Sequence, residues 1–234
     1  MNKIIESWRG GLIVSCQAPA NSPLNKPEII AALAEIAEQN GAVGVRIDAP
    51  ANIAAVKNRV NIPVLGIYKI VSDSCEVYIT PTFTSAQQIV EAGANVIALD
   101  ATARLRPGGE KLENIVTRLR AEFGQPMMAD VALFAEGLYA AETLGVDVIS
   151  TTLAGYTAET KHLTDPDFAL VERLAKKLTV PIICEGRLRS SDDVRRAFNC
   201  GAFAVVVGAA ITGIDQLVQK FVSATPNNAA KTAV

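Results

Sequence analysis

Residues 41–48 read GAVGVRID, and the chain repeats the pattern as GANVIALD at 93–100, GVDVISTT at 145–152 and GAFAVVVG at 201–208. In each copy a glycine ends a helical stretch and opens a β-branched run. The opening glycines are spaced by 52 residues (41 to 93), 52 (93 to 145) and 56 (145 to 201). Between them lie runs opened by proline: Pro63 before VLGIYK, Pro126 before MMADV and Pro181 before IICEG. A repeat of about 50 residues that holds two strands and two helices is a pair of βα units. Four such pairs make an eight-stranded barrel, for which roughly 250 residues is typical. The expected architecture is therefore a single (β/α)8 TIM barrel over residues 1–224, with a short N-terminal helix. Residues 225–234, TPNNAAKTAV, are expected to be a disordered tail. A doubly wound open sheet is the runner-up, and the even pairing and the strand count argue against it.

Outward from these marks, the first strand is GLIVSCQ at 11–17. A helix opens at Pro27 and stops at Gly41, and a short helix is expected around 53–60. The run VYITPT at 77–82 reads as extended and precedes a helix from Thr84. Further helices are expected over 110–123 and 134–144, after Ser190 (with Asp193 in a capping box), and from Ile214. The strands are nearly continuous apolar runs, as in a parallel sheet covered on both faces.

Composition removes several function classes. Basic and acidic residues nearly balance, 22 against 24, and no basic tract suggests a nucleic-acid partner. The longest apolar stretch, near 203–214, falls short of the ~20 residues of a spanning helix, so no membrane partner is expected. Glu6 and Arg9 interrupt the opening MNKIIESWRGG, which does not read as a signal peptide. Cys16, Cys75, Cys184 and Cys200 form no C-x-x-C pair and read as reduced thiols, so a cytoplasmic location is expected. The only histidine, His162, lies in a polar loop, which rules out a histidine triad or a two-histidine metal site.

A barrel does its chemistry where the strands end. Those ends carry Gln17, Arg46 with Asp48, Lys69, Asp100, Asp130, Thr152, Glu185 with Arg187, and Gly208. A charge closing an apolar strand is costly unless something pairs with it. The plain explanation is a ring of structural ion pairs, but both signs converge on the reactive face. Lys69 is a candidate base or imine-former, or else an ion-pair partner of Glu185 or Asp130. Glu185, set between apolar residues and Gly186, can hold or lose a proton near neutrality. Gly186 and Gly208 follow strands seven and eight, where barrels often bind phosphate through backbone N–H groups. Arg187 adds a charge there, or is a solvated arginine.

Read together, these ends resemble the N-acylglucosamine-6-phosphate 2-epimerase (N-acetylmannosamine-6-phosphate 2-epimerase) family over residues 10–212. The resemblance rests on SCQA at Ser15, VRI at Val45, GIYK at Gly66, YITPT at Tyr78, ALDATARLRP at Ala98 and MADV at Met128. STTLAGYT at Ser150, CEGR at Cys184 and VVVGAAIT at Val205 complete it. It implies interconversion of N-acetylmannosamine 6-phosphate and N-acetylglucosamine 6-phosphate in sialic acid breakdown, with no cofactor or metal. Lys69 and Glu185 would be catalytic. Gln17, Arg46, Asp130 and Thr152 would contact the sugar, and Gly186, Arg187, Gly208 and Ala209 the phosphate. A homodimer is the expected assembly. The chain departs from the family pattern at Ile70-Val71 (usually an arginine and an acid), at Ala132-Leu133 (usually Ser-Thr) and at Gly213 (usually arginine). An arginine restored at 213 is expected to tighten substrate binding. The competing functions are a Schiff-base phosphosugar aldolase using Lys69 and a non-catalytic phosphosugar sensor.

Overall fold

Side chains alternate across a strand, so residues two apart share a face. In the computed structural model, which describes residues 1–72 and 75–226, that alternation divides the core into two sets. One set packs inside the barrel: Ile13, Leu65, Ile67, Val96, Ala98, Met128, Val148, Ile183, Ala204 and Val206. The other, including Val14, Val45, Ile47, Ile97, Leu99, Ala129, Ile149, Ile182, Val205 and Val207, lies under the helices.

The strands are β1 (Leu12–Cys16), β2 (Gly44–Asp48), β3 (Val64–Ile67), β4 (Val96–Asp100), β5 (Met127–Asp130), β6 (Val148–Ser150), β7 (Ile182–Glu185) and β8 (Ala204–Val207). Each pairs in parallel with the next, and β8 returns to β1 through Val14↔Val207, so the barrel is closed and the open-sheet alternative fails. Helix α1 (Lys3–Glu6) precedes β1. Outside the strands run α2 (Pro27–Gln39), α3 (Pro50–Lys57), α4 (Phe83–Glu91), α5 (Leu112–Glu122), α6 (Phe134–Glu142), α7 (Phe168–Lys177) and α8 (Ser191–Asn199). The short α9 (Ala209–Thr212) and α10 (Ile214–Ser223) close the chain. Residues 227–234 of the expected tail lie outside the described residues.

Capping chemistry sets several boundaries. The expected box forms at Ser190 and Asp193. Thr82 and Ser85 form another, which starts α4 at Phe83 rather than Thr84. Pro50, at the first turn of α3, starts that helix three residues before the expected position. The run at 77–82 is not a barrel strand. It folds back on the end of β3, with Ile70 N donating to Tyr78 O (2.9 Å) and Thr80 N to Tyr68 O (2.8 Å). Lys69 stands in the arm of this hairpin, bridged to Ile79.

The N-terminal end of the barrel is stoppered. Ile5 and Trp8 are completely buried among the inner set, and Gly10 N donates to Phe203 O (2.8 Å).

Candidate active site

The inner face ends in polar residues at the other mouth. Continuing the same alternation past Ile13 gives Ser15 and Gln17; past Gly44, Arg46 and Asp48; past Ile67, Lys69. Beyond Ala98 comes Asp100, beyond Met128 Asp130, beyond Val148 Ser150 and Thr152, beyond Ile183 Glu185, and beyond Val206 Gly208. One geometric rule therefore brings a residue from each of the eight strands to the same mouth, the cup of the barrel.

At its floor Arg46 is 1% exposed and Asp130 0%. The guanidinium grips Asp130 by two bonds, Nη2 to Oδ2 (2.6 Å) and Nη1 to Oδ1 (3.1 Å), and Nη1 also donates to Glu185 Oε2 (2.9 Å). Thr152 Oγ1 stands 2.7 Å from Asp130 Oδ1 and 2.9 Å from Glu185 Oε2, and Ser150 Oγ lies 2.8 Å from Thr152 Oγ1. Thr151 Oγ1 donates to the Glu185 carbonyl (3.0 Å) and fixes the backbone. Ser150 and Thr151 were not foreseen as part of the site, because hydroxyls in a β-branched run look like ordinary strand formers.

Burial works against the Arg46 charge, but Asp130 and Glu185 more than offset it and raise its pKa. Burial also raises Glu185 above the usual carboxylate range, against the pull of Arg46 and with help from Asp130. Lys69 goes the other way. Although its chain opens to solvent on one side, lost hydration pushes its ammonium pKa below the usual lysine value, opposed by Asp48. Nζ donates to Gln17 Oε1, and the Lys69 backbone N–H donates to Asp48 Oδ1 (2.8 Å). Among the described residues Lys69 is in no ion pair, so the expected bridge to Glu185 or Asp130 does not form.

Asp100 is held apart from this group. It is fully buried, accepts from Thr102 Oγ1 (2.7 Å) and pairs with Arg104 (2.7 Å), which anchors the loop between β4 and α5.

Gly186 and Gly208 follow the paired strands β7 and β8, and Ala209 begins α9, a helix the sequence reading did not foresee. Arg187 has φ 61°, and its guanidinium turns to the loop between β6 and α7. It donates to Ala154 O (2.7 Å) and Gly155 O (2.8 Å) and stacks on Tyr156 at 4.1 Å. Gly155, at φ 85°, leaves room that a Cβ would take from Arg187 Nη1. Arg187 is thus neither a solvated arginine nor turned freely to the cup. An arginine at 213 meets a steric objection: a Cβ there would stand 2.6 Å from Ala209 O and 2.8 Å from Ala209 Cα. The expected gain in binding does not follow from this backbone. Among the described residues no group of three His, Cys, Asp or Glu side chains is placed to hold a metal ion.

A closed parallel eight-stranded barrel that gathers a lysine, an arginine and two carboxyl groups at one mouth has the layout of a TIM-barrel enzyme. Residues 30–227 match the family described as "Putative N-acetylmannosamine-6-phosphate epimerase". The chain belongs to that family. A protein of Thermosynechococcus vestitus named "Putative N-acetylmannosamine-6-phosphate 2-epimerase" is 50% identical over 94% of this chain and 95% of its own. One of the same name from Synechococcus elongatus is 49% identical over 92% and 94%. The solved structure of the N-acetylmannosamine-6-phosphate 2-epimerase from Clostridium perfringens superposes with a TM-score of 0.90 at 38% identity, covering 96% of this chain and 97% of that one. A thiamine phosphate pyrophosphorylase from Pyrococcus furiosus, at TM-score 0.57 and 11% identity, shares the fold alone.

Proposed function

We propose that the protein interconverts N-acetylmannosamine 6-phosphate and N-acetylglucosamine 6-phosphate by removing and returning the C2 proton of the open-chain sugar. The observation that carries this reading is the gathering of Lys69 and Glu185 at one mouth around the Arg46–Asp130 pair, where burial eases Lys69 down and Glu185 up. A lysine eased toward neutrality takes the C2 hydrogen as a proton, and the electron pair moves onto the C1 oxygen. A carboxyl eased toward its protonated form donates to that oxygen or to the opposite face of C2. Arg46, held by Asp130, keeps a fixed positive charge beside the developing enolate, and Thr152 and Gln17 orient the sugar.

The phosphate would lie against the backbone N–H groups of Gly186, Arg187, Gly208 and Ala209. Ile214, Val218, Phe221 and Val222 line one side of α10, and Phe221 is 71% exposed. That apolar stripe supports a homodimer. Four free cysteines suit work in the cytoplasm, where thiols stay reduced. Among the described residues no helix is long and apolar enough to cross a membrane.

The test is proton NMR with N-acetylmannosamine 6-phosphate in D2O. Product carrying deuterium at C2 is expected, and no conversion would defeat the reading. The lowered lysine pKa also suits the imine of an aldolase, which borohydride with substrate would trap on Lys69. The family relationship favours the epimerase.

A further inference from the structure

We propose that Ser15 is a positioning residue that ties the phosphate cradle to Lys69, donating its hydroxyl hydrogen to a phosphate oxygen while holding Gln17 in the orientation that serves the lysine. The proposal rests on the phosphosugar reading above and adds a residue and a coupling to it.

Ser15 lies between the two halves of the cup. On one side it is in register with Arg46 of β2. On the other, Val14 pairs with Val207, so Ser15 flanks Gly208. A Cβ placed on Gly208 would stand 3.2 Å from Ser15 Cβ and 3.6 Å from its Oγ. Thr212 Oγ1 of α9 fixes the same corner by donating to Ser15 O (2.7 Å). Ser15 itself is 7% exposed.

The hydrogen bonds here run in one direction. Lys69 Nζ donates to Gln17 Oε1, and Gln17 Nε2 donates to Ser15 Oγ (2.7 Å). Turning the Gln17 amide over would set its NH2 against the ammonium, so a charged lysine fixes the order. The Ser15 hydrogen must then pass to a further acceptor, and none is found among the described residues. The neighbouring backbone at Gly208 and Ala209 offers N–H groups, which donate. In the unliganded cup that hydrogen can go to water, and a phosphate oxygen seated against Gly208 and Ala209 would take the water's place.

Linkage follows. An acceptor at Ser15 and a proton on Lys69 favour the same Gln17 orientation, so each favours the other. In the reaction the C2–H bond breaks, an N–H bond forms on Lys69, and the electron pair goes to the C1 oxygen. Gln17 Oε1, held by Ser15, is the acceptor waiting for that new ammonium. The charged groups that face Lys69 are Asp48 and Arg46 from β2, Asp130 from β5 and Glu185 from β7.

The experiment compares wild type with Ser15→Ala on N-acetylmannosamine 6-phosphate and on the unphosphorylated sugar, across pH. Loss of a hydrogen bond to a charged group should lower kcat/KM for the phosphosugar roughly 10- to 100-fold. The unphosphorylated sugar should be affected far less. With Gln17 free to turn, the Lys69 ammonium loses its fixed acceptor, so the acid limb of kcat/KM should move to lower pH. Equal losses on both sugars, or an unmoved acid limb, would overturn the proposal. Ser15→Cys, a weak donor of similar size, gives the same readouts if Ser15→Ala does not fold. If wild type fails to turn over the phosphosugar, the epimerase reading falls on its own. Calorimetry with inorganic phosphate still tests the contact, and equal binding by wild type and Ser15→Ala overturns it.

Discussion

Replacing Arg46 with methionine keeps the length of the buried chain and removes its charge. What remains is two carboxyl groups, Asp130 at 0% and Glu185 at 12% exposure, sharing Thr152 with no cation between them. Removing one partner of a buried ion pair costs about 3–5 kcal/mol, and here three hydrogen bonds are lost at once, so about 4 kcal/mol is expected near pH 8. The loss should shrink in acid. Glu185 already has a raised pKa, and in Arg46→Met, with the cation that pulls it down gone, it rises further above its unfolded value. A carboxyl raised in the folded state penalises folding once pH climbs through its folded pKa, and the penalty lifts as pH falls back through it. Each unit of added shift is about 1.4 kcal/mol, so near pH 5 the deficit should be smaller by roughly that amount or more. Urea unfolding of both proteins at the two pH values reads this directly. A loss under about 1 kcal/mol near pH 8, or the same loss at both pH values, would refute the reasoning.

Lys69→Ala and Glu185→Gln should fold normally and each lose about 10²–10⁴-fold, in kcat more than in KM; near-normal kcat in either folded variant sinks its assigned role. Gly213→Arg should weaken the junction between α9 and α10 because its Cβ meets the Ala209 backbone. A raised KM and a lowered Tm are expected, and tighter substrate binding with an unchanged Tm would contradict the steric argument. Phe221→Asp places a charge in the exposed stripe of α10. Light scattering should show the mass falling from dimer to monomer if that face is the interface, and an unchanged mass would place the contact elsewhere.

The cup was legible because strand periodicity and the chemistry of strand ends are both written locally. Arg46, Asp130, Glu185 and Lys69 each stand at or near the end of an apolar run, where a charge needs a polar partner or a polar cavity. What was illegible depends on long-range approach. The turn of Arg187 onto the loop carbonyls needs a positive φ at 187 and the missing side chain of Gly155, 32 residues away. The hairpin that carries Lys69 pairs residues 68–70 with 78–80, and an extended run in sequence does not name its partner. Helix α9 has four residues, too few for helical periodicity to register. Ser150 was readable in principle, since it lies two positions before Thr152 on the same face.

The stopper formed by Ile5 and Trp8 has a consequence for the order of assembly. Their seat is complete only when Phe203 and β8, almost 200 residues further along the chain, pair with the segment around β1. Before that closure the indole and the isoleucine have only part of their seat, from residues such as Ile13 and Val43. Trp8 Nε1 has no hydrogen-bond partner among the described residues, and a side chain on Gly44 would stand 2.8 Å from it. The lone tryptophan is thus a built-in reporter of ring closure: its fluorescence should change in the slowest refolding phase, the one that joins the two ends of the chain.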